Sequence, residues 1–374
     1  MGWKPTPSAR GLGALAVAAS LLAGCVAPPR APAVPDGSLA EPSATASPAP
    51  APSAPASSGP PSSQAPAESS VHFTAAGDFA ATAQTKAVLA ETARLRPDLS
   101  LALGDLSYGE TASERDWCGL VTAALGPDFP FELISGNHES DGGDGDIREF
   151  VRCLPNRLPG LVGTYGRQWY VDVPRDNPVL RLVMISPGLD YPDSSDEDYT
   201  AGSPQYRWTA DAIDSARTAG IPWVVVGAHK PCHSIGRYDC DLGEDMANLL
   251  VQKKVDLVLH GHEHLYQRTY QLGPGPGCPA LAPDTATAAC LRDKSGPFDA
   301  GAGTVFATVG TGGKELRDVD LQDPDAPYFA AYSATNANPA HGLLDVHVTR
   351  TELTAAFVPA GGGAFRDAFT ISRR

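Results

Sequence analysis

Val255-Asp-Leu-Val-Leu-His-Gly-His-Glu-His264 joins a short apolar run to a glycine with histidines on either side. The run Val255 to Leu259 reads as a strand, and whatever follows a strand in an open sheet stands at its carboxyl rim. His262 and His264 are two residues apart, so if the extended geometry continues, both rings point to the same side. Paired imidazoles at that offset are good metal ligands, and Gly261 marks a tight backbone passage. His260 falls on that side too but sits nearer the strand, where a structural or supporting role fits it better. The bland alternative is a pair of surface histidines beside Glu263.

The same arrangement recurs upstream. Strands are expected at Val71–Ala76, Leu99–Leu103, Phe131–Ser135, Val179–Ile185, Trp223–Gly227 and Thr304–Val309, with helices at Thr82–Leu95, Ser113–Leu125, Gln205–Thr218 and Glu244–Lys254. Leu343–Thr349 and Glu352–Val358 read as a hairpin around Arg350-Thr351. Alternation of strand and helix predicts crossover units and a largely parallel α/β arrangement. Asp78 follows the first strand, Asp105 the second, Asn137 and His138 the third, and His229 the run Trp223–Gly227. Residues far apart in sequence should therefore converge on one rim.

Taken singly, an Asp after a strand is a turn residue or a helix cap. Spacing changes the reading. In Gly104-Asp105-Leu106-Ser107-Tyr108 a sharp turn can bring carboxylate and phenol to one centre, although a tyrosine packed in the core is the alternative. Gly136-Asn137-His138-Glu139 sets a neutral amide, an imidazole and a carboxylate on one turn. Asn137 either caps a helix or binds metal, and His138 is free to touch phosphate or to protonate a leaving alkoxide.

Gly77-Asp78, Gly104-Asp105-x-x-Tyr108, Gly136-Asn137-His138-Glu139, Val226-x-x-His229 and Gly261-His262-x-His264, in this order, resemble the calcineurin-like metallophosphoesterases and specifically their purple acid phosphatase branch. The resemblance spans residues 77 to 264 and implies an α/β fold, a sandwich of two packed β-sheets flanked by helices. It further implies that Asp78, Tyr108 and His264 hold a first metal, that Asn137, His229 and His262 hold a second, and that Asp105 bridges them. Asp78-Phe79-Ala80 lacks the histidine of ordinary members, and Tyr108 stands in its place. Phenolate and carboxylate suit ferric iron, whereas the histidine-rich position suits zinc, manganese or ferrous iron. Ala80 stands where the purple branch has glycine. Of the substrate-contacting histidines expected downstream of His229, only His233 is nearby, and a structural histidine beside a cysteine fits it equally well. Lys230 offers charge for a phosphate or is a surface lysine.

The implied activity is two-metal hydrolysis of phosphate esters, monoesters foremost, with Asp105 and His138 as the catalytic pair and His138 and His233 on the substrate. No Gly-x-Ser-x-Gly elbow is present, and none is needed where activated water attacks. Two rivals remain. One is a phosphodiesterase of the same fold, distinguished by the insert Ser140–Asn177 and the loop Pro187–Gly202 at the pocket rim. The other is a non-catalytic surface protein that binds phosphate at a relic site.

The remainder of the chain sets the compartment. Lys4 and Arg10, the apolar stretch Gly11–Gly24 and then Cys25 have the layout of a bacterial export signal, and Leu22-Ala23-Gly24-Cys25 resembles a lipobox in which Cys25 takes lipid. An ordinary signal peptide with an incidental cysteine is the alternative, which would release the protein. Val26–Ser70, rich in Pro, Ala and Ser, reads as a disordered tether between a membrane anchor and a domain at residues 71–374. Six further cysteines suit an oxidising compartment, and neighbours in sequence suggest Cys118 with Cys153, Cys232 with Cys240 and Cys278 with Cys290. The formal charge is −15 and becomes −17 without Lys4 and Arg10, which argues against nucleic acid as a partner. Acidic clusters such as Asp141–Asp146 read as solvated loops, with calcium binding a minor alternative.

Overall fold

Apolar runs in which every residue is buried need cover on both faces, and the strands Leu99–Leu103, Leu180–Ile185 and Trp223–Ala228 are all of this kind. A computed structural model shows how that cover is supplied. It describes residues 69–193 and 198–373; the expected export leader, Cys25 and the expected tether through residue 68 lie outside the described residues.

Two mixed sheets are present. One runs, in spatial order, Phe298–Asp299, Asp367–Ser372, Glu352–Pro359, Gly342–Val348, Val71–Ala76, Leu99–Leu103 and Phe131–Ile134. The other runs Phe329–Ser333, Tyr266–Thr269, Val305–Val309, Leu257–His260, Trp223–Ala228, Leu180–Ile185, Gln168–Val173 and Val162–Thr164. Side chains alternate between faces along each strand. Phe73, Ala75, Leu101 and Leu103 of the first sheet therefore share one buried cluster with Leu182, Met184, Val225, Leu257 and Ala307 of the second. Val183, Ile185, Val224, Val226 and Val258 point the other way and pack with Ile213 and Ala216 of the helix Pro204–Thr218 and Met246 and Leu250 of the helix Glu244–Gln252. Each of the Val, Leu, Ile, Phe and Met side chains among them contributes about 1.5–3 kcal/mol when removed from water. This is the two-sheet α/β sandwich that the resemblance implied.

Helix starts are encoded locally. Thr82, Ser113 and Ser203 each accept a hydrogen bond from the backbone N–H three residues on, at 3.1, 3.2 and 3.2 Å, and Pro204 occupies the first turn of its helix. The expected strands and helices are found within two residues at nearly every end, and the Arg350-Thr351 hairpin is in register from Val348↔Leu353 to Gly342↔Pro359. The largely parallel arrangement is corrected. Val71–Ala76, Leu99–Leu103 and Phe131–Ile134 pair in parallel, as do the strands from Leu180–Ile185 to Val305–Val309, but antiparallel strands extend both sheets. In the first sheet these include the long strands Gly342–Val348 and Glu352–Pro359; in the second they include the short, polar Tyr266-Gln-Arg-Thr269, whose Arg268 is held by Asp367 at 2.6 Å. All three neighbour pairings of cysteine are disulfides: Cys118–Cys153, Cys232–Cys240 and Cys278–Cys290.

Candidate metal centre

The parallel strands of both sheets end on the same edge, and the loops beyond them bring the seven expected ligands together. Tyr108 Oη lies 2.9 Å from Asp78 Oδ1 and 2.9 Å from His264 Nε2, which is itself 3.6 Å from that carboxylate. Beside this trio, His229 Nε2 lies 3.2 Å from Asp105 Oδ1, 3.1 Å from Asn137 Oδ1 and 3.2 Å from His262 Nδ1. The sequence separation closed here reaches 186 residues, between Asp78 and His264.

The local backbone is unusual at these positions. Asp78, Asp105, Tyr108 and His262 have φ of 61°, 55°, 53° and 68°, the left-handed region that non-glycine residues seldom enter. Such conformations persist only where surrounding bonds over-determine them. Asp78 Oδ2 accepts the His262 N–H at 2.8 Å. The buried Glu139 carboxylate accepts three N–H groups, from Asp105 at 2.9 Å, Leu106 at 3.2 Å and Gly136 at 2.7 Å. Gly136 is required by close approach, because a Cβ there would stand 2.1 Å from Asp105 Oδ1.

Hydrogen bonding on the far side of each ring decides what faces inward. A carbonyl only accepts, so His229 Nδ1 donates to Leu103 O at 2.8 Å and His264 Nδ1 donates to Glu315 O at 2.9 Å. His262 Nε2 is 3.2 Å from the Asp241 carboxylate and donates to it. In the neutral rings the inward nitrogens, His229 Nε2, His264 Nε2 and His262 Nδ1, are then lone-pair acceptors. His229 Nε2 faces Asp105 Oδ1 and Asn137 Oδ1, His264 Nε2 faces Asp78 Oδ1, and His262 Nδ1 faces His229 Nε2; all of these are acceptors as well. The Tyr108 hydroxyl donates to Asp78 Oδ1 and the His138 backbone N–H to Asp105 Oδ1, but acceptors outnumber these donors, and a cation satisfies such an excess. Protons partly compensate in its absence. Burial works against charge on His229, but Asp105 and Asp78 outweigh it and raise the imidazole to about 9. Burial, reinforced by Asp105, pushes Asp78 up to about 7 against the pull of His229. The Tyr108 phenol is held well above its ordinary value by burial beside Asp78 and Asp105. Cations bound here reverse each of these costs, so the donor set fits a metal pair.

Around the ligands lies a functional rim. His138 is half-buried, with Nε2 3.7 Å from Asp105 Oδ2 and Nδ1 2.5 Å from Asp144 Oδ2. Lys314 Nζ stands 4.6 Å over the Tyr108 ring, and Tyr238 stacks on His262 at 4.1 Å between centroids. Lys230 Nζ is 3.6 Å from Asp241, the same carboxylate that orients His262. The structure does not bring His233 to the centre: it is buried, with Nδ1 2.8 Å from Asp325 and its ring edge-on to Tyr328. His260 is fully buried in the second sheet beside Phe306 and carries no ligand geometry. The acids of Asp141–Asp146 are spent locally, Asp144 on His138, Asp146 on Arg148 and Asp141 on the Gly143 N–H. Sequence reading missed Asp144, Asp241, Tyr238, Lys314 and the bracing role of Glu139. Only Glu139 and Asp144 had a signal, namely proximity to Asn137-His138; the others reach the site through tertiary contacts.

The sequence profile of the calcineurin-like phosphoesterases matches residues 71–266, which contain all seven expected ligands. The chain belongs to the calcineurin-like phosphoesterases. Within that family it is 26% identical over 263 residues to purple acid phosphatase 1 of Ipomoea batatas, covering 66% of this chain and 50% of that protein. It is likewise 26% identical over 266 residues to Fe(3+)-Zn(2+) purple acid phosphatase 12 of Arabidopsis thaliana, with the same coverage. The chain thus spans about half the length of these relatives. Its fold is shared with the purple acid phosphatase PPD1 from seeds of yellow lupin, Lupinus luteus, at a TM-score of 0.60 and 18% identity, covering 82% of this chain and 54% of that one. The family match, the Fe(3+)-Zn(2+) relative and the clustered Asp105, His229 and His262 together support a dinuclear metal site.

Proposed function

We propose that this phosphoesterase hydrolyses phosphomonoesters outside the cytoplasm, with Asp78, Tyr108 and His264 holding a ferric ion and Asn137, His229 and His262 holding Zn(2+), Mn(2+) or Fe(2+) across a bridging Asp105. The acceptor-rich set around Asp105 carries the reading, and the Tyr108 phenol at 2.9 Å from Asp78 favours hard ferric iron on that side. Two such cations supply Lewis-acid polarisation of a phosphate ester and acidify water.

What the chain's own residues do follows from their placement. Asp105, braced by Glu139, fixes the two halves of the centre relative to one another. Asp144 accepts from His138 Nδ1, so Nε2 is the nitrogen that faces the site, and from the imidazolium form, with both nitrogens protonated, Nε2 gives its proton to the departing alkoxide and leaves a neutral ring. Lys314 stands at the rim near Tyr108, where its charge attracts the phosphate. His233, tied to Asp325, serves the structure in this reading. The leader, with Cys25 lipidated, would hold the domain at the outer side of a membrane through the Pro/Ala/Ser tether, and three disulfides are compatible with that compartment.

The test is elemental analysis and a visible spectrum of the full chain, recorded with turnover of a chromogenic monoester and a chromogenic diester. Two metals including iron, a charge-transfer band abolished by Tyr108→Phe, and preferential turnover of the monoester are expected. Preference for the diester would replace the substrate class, two colourless metals would remove the ferric assignment, and binding of phosphate without turnover would leave a non-catalytic surface protein.

A further inference from the structure

His72, Asp345 and His347 form a second cluster with no part in the chemistry above. His72 belongs to the strand Val71–Ala76 and the other two to its antiparallel neighbour Gly342–Val348, with His72 directly opposite His347 and Thr74 opposite Asp345. Phe73 and Ala75 on one strand and Leu344, Val346 and Val348 on the other are buried in the core, so alternation sends His72, Asp345 and His347 to the outward face together. His72 Nε2 is 2.6 Å from Asp345 Oδ1, and His347 Nε2 is 3.4 Å from Asp345 Oδ2. The two imidazoles stack, centroids 3.9 Å apart and planes 16° apart, which aims both Nε2 atoms at the same carboxylate.

We infer that His72, Asp345 and His347 form a separate binding site for one zinc-class divalent ion on the outer face of the first sheet. One ligand atom from each residue lies within 4.8 Å of the other two. Tetrahedral zinc with ligands at about 2.0–2.2 Å needs donor atoms roughly 3.4 Å apart, so the His72–Asp345 contact has to open by less than about an ångström, and the exposed His347 ring has to turn out of its stack on His72 so that both in-plane lone pairs meet the ion. Two imidazoles and one carboxylate select zinc, nickel or copper over calcium or magnesium. The His347 side chain is 56% exposed, which leaves the remaining coordination to water and gives the ion an entry path. The site is distinct from the dinuclear centre. Asp78 lies six residues along from His72, roughly 20 Å of extended chain, beyond the opposite end of the same strand. A metal here would clip the first strand of the domain to the long hairpin that returns beside it.

The test uses the full chain carrying its resident metals, equilibrated with a small excess of Zn(2+) and desalted. Wild type is expected to retain one zinc equivalent more than His347→Ala, while the two proteins share the same monoester turnover and visible spectrum. Added Zn(2+) should raise the Tm of wild type by several degrees and leave His347→Ala and Asp345→Asn unmoved. Equal zinc content and equal Tm response in wild type and both variants would overturn the site. Loss of turnover together with the zinc in His347→Ala would overturn its independence from the catalytic centre. Because that readout is metal count and Tm, it stands even if the centre proves to act on another ester.

Discussion

His229 Nδ1 donates to the carbonyl of Leu103 at 2.8 Å, a hydrogen bond that runs from one sheet to the other. Leu103 ends a strand of the first sheet and His229 follows a strand of the second. The packing of the two sheets therefore fixes the tautomer of a metal ligand and turns Nε2 toward Asp105.

Asp105→Ala is expected to abolish turnover, by at least about 10³-fold, and to reduce metal loading in the same preparation. Asp105 is the residue shared by both halves of the centre, and its backbone is held by Glu139. Retained turnover with two metals bound, by elemental analysis, would sink the bridging assignment.

Gly136→Ala should behave like a defect at Asp105. The new methyl group would stand 2.1 Å from Asp105 Oδ1 and 2.3 Å from its backbone nitrogen, so the carboxylate must move. We expect metal content and kcat to fall well beyond the change in Tm. A variant with normal kcat would show that the loop adjusts without disturbing the ligand.

Asp241→Ala removes the acceptor of the His262 Nε2 proton. Loss of such an outer partner costs about 10–100-fold in metal affinity or activity. Competition with a chelator should reveal one weakened equivalent, on the His262 side, and an unchanged chelator midpoint for both metals would refute the orienting role.

Glu132 supplies a pH dependence away from the centre. Its carboxyl is buried in the strand Phe131–Ile134, with Oε1 accepting the Arg157 N–H at 2.8 Å and Oε2 unpaired. Burial, opposed by the Arg157 N–H and Tyr165, pushes it up from 4.5 to about 7. Because the folded value is raised, the associated stability is complete below about pH 4.5 and is lost as pH rises through about 7. Glu132→Gln mimics the protonated acid. Its Tm should match wild type near pH 4.5 and exceed it increasingly up to pH 8; a Tm difference independent of pH would rule the account out.

The places of the ligands were legible because each rests on a local rule: an apolar run ends, a polar residue follows, and the carboxyl rim collects them. Asp78, Asp105, Asn137, His229, His262 and His264 all obey it. The same rule was blind to Tyr266–Thr269 and Gln168–Val173, strands whose polar residues are satisfied only by partners brought from elsewhere, as Arg268 is by Asp367. The resemblance, not this rule, offered His233 as a substrate contact beside an equal structural alternative, and the chain turns it back to Asp325.

The sequence by itself determined the α/β class, the order of the ligand-bearing loops, the donor types and hence the affinity for two metals, because these depend on residue identity and on hydrophobic periodicity within a few positions. Tertiary structure alone decided the mixed pairing of the sheets, the left-handed backbone at Asp78, Asp105, Tyr108 and His262, and the outer partners Leu103, Glu315 and Asp241 that choose each ring's tautomer. Those features are set by contacts between segments tens to hundreds of residues apart, and no local pattern records which carbonyl or carboxylate will stand behind a given histidine.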